Sequence, residues 1–274
     1  MKKFGLTGYP LGHSLSPFIH RELMKISHIE GEYGLFEIAP ENLDNDIEKL
    51  KTLNGFNVTI PHKINIIPFL DSLDEKAKLF SSVNTVKTGA ECKGYNTDCD
   101  GFLRALDGAG MSLSGNVLLC GAGGVSRMIA FEAALAGCRL TIAARSESIE
   151  KAEKLKNEIL SKTGKTVSVI SYDNISDGYD LIVNGTPVGM FPKVDKCVLK
   201  KETVLKSKAV YDVIYNPAET LLLKYAKEAG IKYSNGLSML VWQAAVAQEI
   251  WNGTEFSNDD IEKVIKLTEE ELNK

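Results

Sequence analysis

The chain has 274 residues, 44% of them hydrophobic and 25% charged, a globular composition with enough apolar material for one large core or two modest ones. A net charge of −4 gives no attraction to nucleic acid or to acidic membrane surfaces, and the longest apolar runs, such as MLVWQAAVA at 239–247, fall short of the roughly 20 residues a membrane span needs. Five cysteines (92, 99, 120, 138, 197) contain no C-x-x-C pair and four histidines (13, 20, 28, 62) have no metal-ligand spacing, so the pattern offers neither a disulfide framework nor a metal site. The opening MKKFGLTGYP is interrupted by Gly5, Gly8 and Pro10 and lacks the apolar stretch of a secretion signal, so a cytoplasmic protein acting on small molecules is expected.

In chain order, KKFGLTG and EYGLFEI read as strands, with a helix between them that Ser16 and Pro17 open as N-cap and first residue. Leu43, Ile47 and Leu50 form one apolar stripe on a second helix. GFNVTI is the third strand, with Phe56, Val58 and Ile60 alternating with Asn57 and Thr59 until Pro61 stops the ladder. Residues 84–96 predict two short strands around a glycine-containing turn. A second block begins near Asp98 with a helix carrying Phe102, Leu103 and Leu106. Its strands are NVLLCGAGG, RLTIAAR, VSVIS, DLIVNGTP and AVYDVIY, and its helices 125–137, 148–163 and 217–229. From about Leu237 the chain is helical to its end, with Ser257 and Asp260 as a capping pair. Strand alternating with helix predicts an α/β protein with parallel sheets in two domains.

The run NVLLCGAGGVSRMIAF takes a buried strand through Gly121, Gly123 and Gly124 into a helix, the setting a dinucleotide fingerprint requires. Gly121 permits the tight turn and Gly123 lets the backbone approach a pyrophosphate at the positive end of the helix, while Ser126 stands where a third small residue belongs. The next strand ends in Ala144, Arg145 and Ser146 rather than in the carboxylate that would accept from a ribose 2′-hydroxyl. A guanidinium and a hydroxyl suit a 2′-phosphate, so NADP is expected rather than NAD.

Polar residues also gather where the first block's strands end, which is where open α/β sheets bind ligands. These are Ser14 and Ser16, Thr59 and Lys63, Asn84, and Asp98. Each also has a plain structural role open to it: a cap, a turn, or, for Lys63, a solvated loop position. Together they suit a small, hydroxyl-rich, anionic substrate.

HSLSP, NVTIPHK, NTD, GAGG, DVIYNP at 212–217 and GLSMLVWQAA at 236–245, in this order and spacing, resemble the shikimate dehydrogenases over nearly the whole chain. The resemblance implies a substrate domain at 1–99, a Rossmann-type NADP-binding domain at 100–236, and C-terminal helices at 237–274 completing the substrate domain. It implies that Ser14 and Ser16 hold a substrate carboxylate. Thr59, Asn84, Asp98 and Gln243 would bind ring hydroxyls, Tyr215 would border the site, and Lys63 would be the acid/base with Asp98 as its partner. It gives the pyrophosphate to Gly121, Ala122, Gly123, Gly124 and Val125, the adenosine phosphate to Arg145 and Ser146, and the nicotinamide side to Thr186, Val213 and Gly236. Arg21, Ala144 and Ser146 depart from the family's usual residues. The implied reaction is reversible reduction of 3-dehydroshikimate to shikimate without a metal, by a monomer or a homodimer whose domains close on the substrate. A broader quinate/shikimate dehydrogenase is the alternative within the class. A non-catalytic ligand sensor on the same fold is the alternative of another class, and the presence of both Lys63 and Asp98 argues against it.

Overall fold

A computed structural model describes residues 1–12 and 14–274, so His13 of the first serine motif lies outside the described residues. The chain forms two units, Met1–Gly101 with Leu240–Lys274, and Phe102–Met239. Among the described residues no helix is long and apolar enough to cross a membrane.

The first unit contains β1 (Lys2–Gly8), α1 (Ser16–Ile26), β2 (Gly31–Glu37), α2 (Leu43–Lys51), β3 (Gly55–Val58), α3 (His62–Asn65), β4 (Ser72–Leu73), α4 (Glu75–Phe80), β5 (Thr85–Lys87), β6 (Lys93–Tyr95) and the start of α5 (Thr97–Gly108). Its sheet has the order β2-β1-β3-β5-β6-β4; β1 pairs parallel with β2 and β3, and β5 is antiparallel to both its neighbours. The apolar stripe predicted on α2 is the face that meets the sheet: Leu43, Ile47 and Leu50 are buried with Phe56, Val58 and Ile66 in one core.

The second unit continues α5 and adds β7 (Asn116–Cys120), α6 (Gly124–Leu135), β8 (Arg139–Ala144), α7 (Ile149–Thr163), β9 (Ser168–Ser171), β10 (Leu181–Asn184), α8 (Lys201–Leu205), β11 (Ala209–Asp212), α9 (Leu221–Glu228) and β12 (Lys232–Ser234). All its strands are parallel in the order β12-β11-β10-β7-β8-β9, a Rossmann sheet whose order reverses between β7 and β10. The chain then enters α10 (Leu237–Asn252) and α11 (Asn258–Leu272). The predicted pair at Ser257 and Asp260 forms a complete capping box on α11. In the first unit the Trp251 ring stacks on Phe4 at 4.8 Å and its Nε1–H donates to the Val86 carbonyl at 2.9 Å.

Three local expectations are corrected. Ser16 does not cap α1: Leu15 holds the N-cap position, and the Ser16 N–H instead donates to Ser14 Oγ at 3.2 Å. The third strand ends at Val58 rather than Ile60, because Pro61 has no N–H to continue the ladder and the chain turns into α3 at His62. The helix expected from 217 starts at Leu221, where the Thr220 hydroxyl caps it.

Candidate active site

Lys63 stands on α3, immediately past the buried end of β3. The helix is anchored from both sides: buried His62 donates Nε2–H to the Ile38 carbonyl at 2.6 Å, and the Lys63 carbonyl accepts from Val83 N–H at 2.8 Å. With its neighbour turned into the core, Lys63 directs its ammonium at Asp98, 2.6 Å away in the first turn of α5. The two side chains are 30% and 23% exposed, so the pair is reachable yet sheltered, and Lys63 is no solvated loop residue.

Asn84 fixes the other side of Asp98. Its Oδ1 accepts from Thr97 N–H at 2.7 Å, which turns its amide nitrogen toward Asp98 Oδ1 at 2.8 Å and Thr97 Oγ1 at 3.0 Å. Beneath it, Asn57 Nδ2 donates to Thr85 Oγ1 at 2.9 Å and to the Asn84 carbonyl at 3.2 Å, and Tyr33 donates to Asn57 Oδ1 at 2.8 Å. A buried polar floor built from β2, β3, β5 and α5 therefore holds the ion pair; a satisfied network of this kind is rigid. Asn57, Thr85 and Tyr33 drew no site assignment from the sequence because each occupies an ordinary strand position.

Lys63, Asn84 and Asp98 are thus brought together by direct contacts. Ser14 and Ser16 are neighbours at the start of α1, and Thr59 sits at the end of β3 with its N–H on the Thr7 carbonyl. Gln243 lies on α10 and donates to the Leu240 carbonyl. Among the described residues no hydrogen bond joins these four to the Lys63–Asp98 pair. Tyr215 belongs to the second unit, where burial pushes its hydroxyl pKa up.

In the second unit β7 runs into Gly121, whose φ of +99° suits glycine and whose N–H donates to the Ala143 carbonyl at 2.8 Å. Gly123 is the N-cap of α6, and the space beside Gly123 and Gly124 is open, so the free N–H groups of the first helical turn are accessible to an anion. Ser126 is buried and donates to the Gly185 carbonyl at 3.0 Å, tying α6 to the loop after β10. A cleft of about 560 Å³ is lined by Gly121, Ala122, Gly123, Arg145, Lys151 and Thr186. Arg145 is exposed at the end of β8 and pairs with Glu147 at 3.1 Å; Ser146 also reaches Glu147.

Thr186 donates its N–H and hydroxyl to Asn184 Oδ1 at 3.0 and 2.7 Å. Val213 N–H donates to the Asn184 carbonyl at 3.1 Å, and Gly236 N–H to the Ile214 carbonyl at 3.1 Å. Gly236 lies so close to Val213 that a Cβ would come within 2.0 Å of its carbonyl oxygen, so no other residue fits. An open helix N-terminus with Arg145, Lys151, Lys193 and Lys196 lining the same cleft fits the phosphates of a phosphorylated nicotinamide dinucleotide. Asn184, Asp212 and Thr220, which tie together the loops carrying Thr186 and Val213, drew no site assignment from the sequence, where Asp212 stands inside the run AVYDVIY read as a single strand.

The family model of the shikimate dehydrogenase substrate binding domain matches residues 6–86. A shikimate dehydrogenase (NADP+) of Methanocaldococcus jannaschii is 41% identical, over 97% of this chain and 98% of the relative. A crystal structure of a shikimate dehydrogenase in complex with NADP+ superposes with a TM-score of 0.90 at 41% identity, covering 97% of this chain and 94% of that one. A Listeria monocytogenes shikimate 5-dehydrogenase solved with shikimate and NAD gives a TM-score of 0.88 at 33% identity, covering 97% and 96%.

Proposed function

This chain belongs to the shikimate dehydrogenase family, and from that premise we propose that it catalyses the reversible reduction of 3-dehydroshikimate to shikimate with NADPH. The observation that carries the reading is the Lys63–Asp98 contact of 2.6 Å at the strand ends of the first unit. NADPH, when bound by the second unit, supplies the hydride to the ring ketone. As negative charge grows on the carbonyl oxygen, the Lys63 ammonium beside it lowers the energy of that charge and delivers the proton; in the reverse direction the neutral amine takes the proton back.

Asp98 holds the ammonium in place and accepts from a neighbouring ring hydroxyl, while Asn84 keeps the carboxylate from rotating. The Ser14 and Ser16 hydroxyls donate to the substrate carboxylate, Thr59, Asn84 and Gln243 contact the remaining hydroxyls, and Tyr215 borders the ring. The α6 N-terminus from Gly121 to Val125 holds the pyrophosphate, Arg145 and Ser146 the 2′-phosphate, and Thr186, Val213 and Gly236 the nicotinamide. Steady-state assays of shikimate and quinate, each with NADP+ and NAD+, test the reading. Shikimate with NADP+ is expected to give the highest kcat/KM; turnover of quinate alone, or of neither, overturns it.

A further inference from the structure

Asp212 ends β11 with its side chain wholly buried, and no step above uses it. Its carboxylate takes hydrogen bonds from Asn184 Nδ2 at 3.0 Å, Ile214 N–H at 3.1 Å and the Thr220 hydroxyl at 2.7 Å. These donors come from the end of β10, from the residues following β11 and from the cap of α9, so one buried anion joins the segments that carry Thr186 and Val213.

The hydrogens run in one direction. Asn184 gives its N–H to Asp212 and therefore turns its oxygen to Thr186, where it receives both the N–H and the hydroxyl. Thr186 Oγ1 also accepts from Val188 N–H at 3.2 Å. With its proton committed inward, the Thr186 hydroxyl has only a lone pair left to offer the cleft. The reverse orientation of Asn184 would set its NH2 against the Thr186 N–H, which has nothing to accept with.

We propose that Asp212 is a positioning residue for the cofactor: as the terminal acceptor of the chain Thr186 to Asn184 to Asp212, it fixes the loops after β10 and β11 and leaves Thr186 Oγ1 as an acceptor for the carboxamide N–H of the nicotinamide. This rests on the reading that the second unit binds NADP. Burial pushes the Asp212 pKa up to about 6, against the pull of its three hydrogen bonds. The titratable groups around it, the Cys120 and Cys197 thiols and the Tyr211 hydroxyl, are all raised by burial and stay neutral near neutral pH. The carboxylate therefore remains ionised above about pH 6, and protonation turns one of its oxygens into a donor, so that one of its three hydrogen bonds must be reversed or lost and the hold on the two loops weakens.

The test is calorimetric binding of NADP+ and of 2′-phospho-ADP-ribose, which is NADP+ without its nicotinamide, to the full-length protein and to Asp212→Asn. The variant is expected to bind NADP+ about tenfold more weakly while holding the truncated ligand within about twofold, the scale of one hydrogen bond to a charged group. Equal losses for both ligands, or no loss, overturn the proposal. Should the variant fail to fold, the unmutated protein decides. Its preference for NADP+ over the truncated ligand should shrink as pH falls through about 6, the 2′-phosphate titration being common to both, and a constant ratio overturns the proposal. Unmutated protein that binds neither ligand overturns the cofactor reading itself, and this proposal with it.

Discussion

Lys63 Nζ and Asp98 Oδ2 lie 2.6 Å apart although they are 35 residues apart in sequence, and the second oxygen of Asp98 is taken by Asn84. The carboxylate is thereby held on one side by an amide anchored in the floor and on the other by the ammonium it steers.

Lys63→Ala should lower kcat by roughly 10² to 10⁴, the usual size of a general acid/base contribution, with little change in KM for shikimate. Asp98→Asn should lower the rate as well, and the double variant should lose less than the sum because the two act as a pair. Steady-state kinetics decide it; near-normal kcat for Lys63→Ala would return the lysine to a purely structural role.

The serines at the start of α1 separate binding from stability. Ser16 caps nothing through its side chain, so Ser16→Ala should leave the unfolding free energy within about 0.5 kcal/mol and weaken shikimate binding by roughly 1 to 3 kcal/mol. Ser14→Ala also removes the acceptor for the Ser16 N–H and should cost about 0.5 to 1 kcal/mol of stability in addition. Equal denaturation midpoints for the two variants would contradict this division.

Arg145 is 67% exposed and already paired with Glu147, so the phosphate contact proposed for it would be screened and contested. Arg145→Ala should weaken NADP+ by about tenfold or less and leave NAD+ nearly untouched, whereas Glu147→Gln should raise the NADP+ to NAD+ preference by about two- to threefold. Dissociation constants for both cofactors across the three proteins measure it, and an unchanged ratio in Arg145→Ala rules the contact out.

Two buried groups give the units opposite responses to acid. His20, stacked between Tyr33 and Trp251, is held by burial at a pKa of about 3, below its ordinary 6.5. The unfolded chain therefore takes up a proton that the folded unit refuses, and stability present above pH 6.5 is lost as pH falls toward 3. Asp212 is raised from 3.8 to about 6, so its folded form keeps a proton the unfolded chain has released; its contribution is full in acid and is lost as pH rises through about 6, by about 3 kcal/mol. Both tryptophans, Trp242 and Trp251, belong to the first unit, so their fluorescence follows that unit alone. Its urea midpoint should fall between pH 6.5 and 4.5, and His20→Phe should flatten the slope. A pH-independent midpoint in the unmutated protein would refute the assignment.

Much of this architecture is legible in one dimension because it is written in short-range patterns. The glycines after β7, the apolar stripe of α2 and the capping box of α11 are each set by neighbours within a few residues. Lys63 was legible for a similar reason, as a charge where an apolar strand stops. Asp212 carried no such mark, since the run AVYDVIY continues apolar beyond it, and its three donors arrive from β10, the residues after β11 and the cap of α9, a convergence that no linear spacing announces. Ser16 shows the opposite failure: the Ser-Pro pair is a fair cap signal, but Ser14 lies two residues upstream and takes the N–H. The helix α4 had a cap in Asp74, whose side chain accepts from Ala77 N–H, and was passed over because only six residues follow it.

The unit that carries Lys63 is assembled from two stretches with the whole of the other unit between them. On the ribosome, residues 1–101 emerge early and then wait, for roughly ten seconds at ordinary synthesis rates, while the contiguous Rossmann unit is made. Until α10 is out, Phe4 has no Trp251 to stack on, the Val86 carbonyl lacks its indole donor, and the His20 ring lacks Gln248. The segment synthesised ahead of the Rossmann unit is therefore completed after it, and the Lys63–Asp98 contact is held in a finished unit only once α10 and α11 have docked. Any break in translation after the Rossmann unit leaves a cofactor-binding half joined to an unfinished, apolar N-terminal segment, a species that cellular quality control would meet as misfolded protein rather than as a weakened enzyme.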